Sequence, residues 1–367
     1  MGRKEQARSN QTIQEYFDLM AHRYLELLQN MRVMRSFIDT LKSDSKVIEA
    51  AYNDVKRLPE NERPVAYHLE PRTSLLDSIQ KPKVRPSQAR KDLLRQLDYD
   101  REITRHDVAS NYQIGPTLSK DEQERCLHAI KSFTFTQWMQ SERSSVLVIN
   151  GNGTGSGSRR SGLSFLCARL IYSLDQIRFG GKPTSGNITR PEIVPIHFFC
   201  GEHLHNDTSE SWESPSGVAN SLLVQLVSQC QDVDVSRLPS SRYLDVNDAN
   251  VKDGLGLLRL LMKQLPSHFI VFCIVDALSF YANNDQASKA AQRLVAGLIS
   301  IAQASKTGRK SRAIFKLLLT APSRLRTTEV GELSQEQILN IPKTLPGKGG
   351  LTTMKWDRML QQHLKKV

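Results

Sequence analysis

Apolar residues recur at Ile13, Phe17, Met20, Tyr24, Leu27, Met31, Met34, Ile38 and Leu41, in steps that alternate four and three. That spacing returns side chains to one face of a helix and predicts a long amphipathic helix over residues 13–41. Tyr16, Leu28 and Phe37 widen the stripe beyond a strict two-position seam. Two readings stay open: a helix packed on its own domain, or an oligomerising coiled coil. A second helix is expected over residues 46–58, ended by Pro59. Residues 59–87 read as connecting structure with a short helix around Leu75, and ARKDLLRQLDY as a further helix. Ser119-Lys-Asp-Glu122 has the form of a capping box and predicts a helix running to about Gln140. That helix would carry Cys126, Ile130, Phe133 and Trp138 toward a core.

From Ser145 the period changes. SVLVIN (145–150), IVPIHFF (193–199), FIVFCIV (269–275) and IFKLLLT (314–320) are short, almost wholly apolar runs. Helical patterns separate them, one of them opened by Ser214 as N-cap with Pro215 at the first helical position. Strands this apolar, alternating with helices, imply a parallel sheet covered on both faces. The expected fold is α/β, a doubly wound, mostly parallel sheet of phosphate-loop NTPase type with a helical N-terminal region. The expected divisions are a helical region over 1–112, a connecting helix over 113–144, the α/β domain over 145–334 and a tail over 335–367.

Composition narrows the class. Hydrophobic residues make up 39% of the 367 and charged residues 24%, as in soluble globular proteins. No run approaches the roughly 20 apolar residues of a membrane span, so no membrane partner is expected. The first residues carry neither a secretory h-region nor a myristoylation pattern. Five scattered cysteines read as reduced core thiols of a cytoplasmic, or alternatively nuclear, protein. Net charge is +12, but bases and acids interleave except in Lys306–Arg312. An ordinary solvated loop explains that run better than a nucleic-acid site.

Candidate chemistry centres on VINGNGTGSGSRRSGLSFLCARL, Val148 to Leu170. A phosphate loop reads GxxxxGK[ST] between a strand and a helix. Glycines let backbone N–H groups converge on phosphate, the lysine reaches it, the hydroxyl holds magnesium, and the helix N-terminus adds a favourable dipole. The alignment that keeps the spacing places Gly157 and Gly162 at the two glycines and Ser164 at the hydroxyl. Leu163 then stands where the lysine belongs. Arg159 and Arg160 could restore part of the charge, with a different geometry. A solvated linker without ligand is the alternative.

Two further segments follow in the order such a site needs. Asp276 ends a buried strand, where a carboxylate can orient magnesium, yet Leu278, Ser279 and Phe280 supply no acid to activate water. The alternative role for Asp276 is a strand-end cap or turn residue. After the last strand, Thr320, Ser323 and Arg324 can face a γ-phosphate.

VLVINGNG, RRSGLSFLCARL, FFCGEH, QLPSHFIVFCIVDALSFY, FKLLLTAPSR and IPKTLPGKGG resemble the NACHT-type signal-transduction NTPases, the STAND class of P-loop proteins. More closely they are similar to filamentous-fungal proteins with a degenerate P-loop. In that class the strand-end motif is an aspartate, a glycine, any residue and two acids. Asp276 matches the first, while Ala277, Ser279 and Phe280 depart from the rest. The resemblance implies a nucleotide site of Gly157, Arg159, Arg160, Gly162, Ser164, Asp276, Thr320 and Arg324. Its ligand would be ATP, with magnesium on Ser164 and Asp276, or no ligand at all. The departures weigh against hydrolysis and leave binding open.

Cys200, His203, His205 and Asp207 have ligand-type chemistry without standard zinc spacing, and a polar loop near the cleft mouth is the favoured reading. The function expected is a regulatory or interaction module with weak or no hydrolysis and no catalytic residues of its own. Its expected partner is a protein, met through the N-terminal helices, or a second copy. The alternatives are a weak ATPase, with Arg160 in place of lysine and Glu202 orienting water, and a nucleic-acid scaffold using Lys306, Arg309 and Lys310.

Overall fold

The computed structural model describes residues 86–97, 100–152, 159–180, 191–203, 214–231, 233–238, 251–283, 285–306, 312–323, 325, 333–345 and 350–364. All belong to the second of two units into which the chain divides, Pro82–Val367. The heptad helix, the 46–58 helix and most of the 306–312 run lie outside the described residues.

Among the described residues four helices precede the sheet: α1 (Pro86–Gln96), α2 (Arg101–Gln113), α3 (Lys120–Lys131) and α4 (Phe133–Gln140). The strands are β1 (Ser145–Asn150), β2 (Glu192–Phe199), β3 (Phe269–Asp276), β4 (Ile314–Ala321) and β5 (Ile338–Asn340). Between them run α5 (Gly162–Gly180), α6 (Pro215–Gln229), α7 (Val251–Met262) and α8 (Asp285–Lys306), and α9 (Thr353–Leu364) closes the chain. The expected caps form. Ser119 and Glu122 make both bonds of a capping box, and the Ser214 side chain accepts from Gly217 N.

All five strands are parallel, in the order β2-β3-β4-β1-β5. The chain leaves β1 in one direction across the sheet, then returns through β3 and β4 to β5. Crossovers of a single hand must therefore put the first connection on one face and the later ones on the other. The packing follows that rule. One face of the sheet, with Val148, Val194, Val271 and Leu317, is buried under α1, α6, α7 and α8. The other, with Leu147, Ile149, Phe272 and Leu318, is buried under α3, α4, α5 and α9. The period-2 alternation of these residues along each strand supplies both cores.

Three elements differ from expectation. The helix expected to run to Gln140 breaks at Ser132, which is extended (φ −64, ψ 145) and whose side chain accepts from Phe135 N. The restart turns Phe133 outward, 74% exposed, and Phe135 fills the core instead. Helix α2 was not anticipated, because its buried residues are Thr104, Asp107 and Asn111. At spacings of three and four they form a polar stripe that hydropathy does not register. Strand β5 is three residues long, too short to show a period. With α9, whose Trp356 and Leu360 are 1% exposed, it builds the segment set apart as a tail into the α/β body.

The outer edge of β2 is closed by side chains. Gln225 of α6 donates to His197 O (2.7 Å) and accepts from His197 N (2.9 Å), and Gln229 donates to Pro195 O (2.7 Å). Among the described residues no helix is long and apolar enough to cross a membrane.

Candidate functional site

The sheet register aligns the strand ends. Asn150 pairs with Ala321 and Phe199 with Asp276. Beside them, between β1 and β4, the connections leave for opposite faces, and ligands of open α/β sheets bind in the crevice at such a point.

Helix α5 starts there. Ser161 caps it, accepting from Ser164 N (3.3 Å), while Ser164 Oγ accepts from Ser161 N (3.2 Å). This is a capping box with serine in the usual place of Glu. Ser164 is fully buried, and its hydroxyl lies close enough to the Asp276 carboxyl to favour its charged form. Thr320 Oγ1 donates to Asp276 Oδ1 and accepts from Ala277 N (3.2 Å). Cys167, one turn along α5, has its sulfur 3.9 Å from the same carboxyl oxygen. Ser164, Asp276 and Thr320, far apart in sequence, thus meet in one buried cluster. Burial pushes the Asp276 carboxyl up to about 6, against the hydrogen bond from Thr320 and the nearby Ser164 hydroxyl, and the charge of Glu202 pushes the same way as burial.

Ala277 has φ 59, the left-handed region that glycine enters freely. The turn after the strand-end carboxylate therefore keeps a glycine-type backbone although the residue is alanine.

The loop before α5 docks on the end of β2. An added Cβ at Gly201 would lie 2.1 Å from Arg159 O, so only glycine admits this approach. Arg160 then grips Glu202 with two bonds, Nε to Oε1 at 2.6 Å and Nη2 to Oε2 at 2.8 Å. Asn111 of α2 donates to the same Oε1 at 2.8 Å. Burial raises the Glu202 carboxyl, but Arg160, Asn111 and His203 together hold it below its ordinary range. Arg160 and Glu202, separately assigned to phosphate and water in the weak-ATPase alternative, are here each other's partner.

Leu163 is 3% exposed and packs in the core under α3. An added Cβ at Gly162 would meet Glu122 O at 2.9 Å and Cys126 Sγ at 3.2 Å, so this glycine admits α3 against the start of α5. Gly157 and Arg324 lie outside the described residues, as do His205 and Asp207. His203 bonds Asp107 (2.8 Å), and the buried Cys200 thiol is pushed well up. Among the described residues no cluster of His, Cys, Asp and Glu could hold a metal ion.

Two contributors escaped the sequence. Arg125, 6% exposed, donates to Gly151 O (2.6 Å) and Lys343 O (2.8 Å) and straps the segment after β5 across the end of β1. Its only sequence signal is a base on the apolar side of α3. A cavity of about 370 Å³ lies along α5, lined by Tyr112, Phe165, Arg169 and Trp356 among others.

The stretch that carries this geometry, from α3 to the end of β4, coincides with a known sequence family. The profile described as Nephrocystin 3, N-terminal, matches residues 124–321, just over half of the 367. The chain belongs to the nephrocystin 3 N-terminal family. Neither the curated proteins nor the solved structures contain a significant match. The family segment holds α5, the Arg160–Glu202 pair, Asp276 and Thr320, and it ends where β4 ends.

Proposed function

We propose that this chain is a P-loop-like regulatory or interaction module of NACHT and STAND type that binds a nucleotide and hydrolyses it weakly or not at all. The observation that carries the reading is the meeting of Ser164, at the start of α5, with Asp276, at the end of β3. A hydroxyl and a carboxylate beside a helix N-terminus are the donor set for magnesium carried by a phosphate, and these two residues would hold it. Magnesium would there neutralise phosphate charge.

The lysine place does not fit a hydrolytic site, because Leu163 is core, and Ala277, Leu278, Ser279 and Phe280 bring no second carboxylate. The closer kinship with the fungal degenerate P-loop group belongs to this same reading. So does a protein partner, or a second copy, met through the N-terminal helices.

A thermal-shift titration with ATP, ADP and GTP, with and without magnesium, tests the proposal. The expected result is a nucleotide-dependent rise in melting temperature without measurable turnover. No shift with any nucleotide sinks it, and magnesium-dependent turnover lost in Asp276→Asn favours the ATPase alternative. Leu163→Lys should lower the stability of the free protein by burying an ammonium. It should also raise ATP affinity roughly ten- to a hundredfold, the worth of one charge-assisted contact.

A further inference from the structure

Arg160 stands between two uses. Its side chain keeps 40% of its surface exposed, while its partner Glu202 keeps 13%. Behind Glu202 lies α2, whose Asn111 is 1% and Asp107 5% exposed. Asn111 reaches Glu202 through its side-chain amide and Asp107 reaches His203, so the polar face of α2 is joined to the end of β2 at two adjacent residues. The charges are unequal in number. Arg160 lies in the field of both Glu202 and Asp107. Drawing its guanidinium away leaves two carboxylates close together with His203 as their nearby base.

We propose that the Arg160–Glu202 pair is a latch: the phosphates of a bound nucleotide and the Glu202 carboxylate compete for one guanidinium, so that nucleotide binding loosens α2 from the end of β2. The inference rests on the nucleotide reading and adds its output. The element that responds is the last helix of the N-terminal region before the family segment. A guanidinium presents the same two-pronged donor edge to a carboxylate and to a phosphate, so the exchange needs little rearrangement at Arg160. Once Glu202 has lost that partner, its charge faces the Asp107 carboxylate of α2 without compensation, and that repulsion works against the attachment of the helix. Coupling of this kind is reciprocal, and whatever loosens α2 must strengthen nucleotide binding.

The test uses the full chain, ATP with magnesium as probe, and hydrogen exchange of residues 101–113 as readout, in the wild type, Glu202→Gln and Asn111→Ala. ATP should speed exchange in α2 of the wild type. Glu202→Gln should bind ATP roughly ten- to a hundredfold more tightly, since a neutral amide no longer competes. Asn111→Ala should speed α2 exchange without ligand and tighten ATP by a smaller factor, whereas a merely structural Asn111 would leave affinity alone. Binding seen only in Glu202→Gln would be the latch in its strongest form. If the wild type binds ATP but α2 exchange does not change, or if Glu202→Gln binds no tighter, the latch falls and the nucleotide reading stands. If none of the three binds ATP, both fall together.

Discussion

Asp276 is 1% exposed, and its carboxyl is pushed up to about 6 from 3.8. The folded state therefore holds a proton that the unfolded chain releases between these values. Its contribution to stability is intact below about pH 4 and is lost as pH rises through 6. At 1.36 kcal/mol per unit, the loss at neutral pH approaches about 3 kcal/mol. Asp276→Asn should accordingly be more stable than wild type at pH 7.5, by up to that amount, and the gap should close by pH 4. Denaturant unfolding at the two pH values reads both. Ala277→Gly next to it should be neutral or stabilising by up to about 1 kcal/mol, because relief of a left-handed alanine offsets glycine's entropy. Asp276, Thr320 and Ser164 were legible in the sequence because each sits at a fixed offset from a strand or helix that hydropathy reveals. The Arg160–Glu202 pair was not, since nothing in one sequence signals that residues 42 apart share a bond.

Among the elements, α2 and α4 show where hydropathy fails. Helix α2 buries Thr104, Asp107 and Asn111, so its inward face looks like a surface. The break before α4 depends on one serine hydroxyl capping Phe135 N. The far end of α4 depends on a residue of another element. Lys316 of β4, 1% exposed, donates to Trp138 O (2.7 Å), Met139 O (3.3 Å) and Ser141 O. Burial pulls its ammonium down to about 7 from 10.5. The unfolded chain thus binds the extra proton across that window, and stability should rise with pH from about 7 to 10. Lys316→Met should flatten this rise, which the difference between the two unfolding curves at pH 7 and pH 9.5 measures. A lysine inside an apolar strand run reads as an interruption in sequence. The carbonyls that explain it belong to a helix more than 170 residues earlier.

For the molecule, the parallel sheet with helices on both faces was legible from four apolar runs and the helices between them. The order of strands was not, because it depends on which way each connection crosses. Nor was the reach of the last segment, since Arg125 holds residues after β5 through backbone carbonyls that no side-chain pattern records. Trp356 on α9 is buried against Phe165 of α5, ring to ring at 6.0 Å. Trp356→Ala should cost about 3–5 kcal/mol in denaturant unfolding.

The glutamines along β2 carry a consequence for how copies of this chain can meet. A free strand edge invites another chain to extend the sheet, the usual route to fibrils. Here Gln225 already satisfies both main-chain groups of His197, and Pro195 has no N–H to offer a newcomer. At these two residues the β2 flank has nothing left to offer an incoming strand, so growth of the sheet on that side is obstructed there.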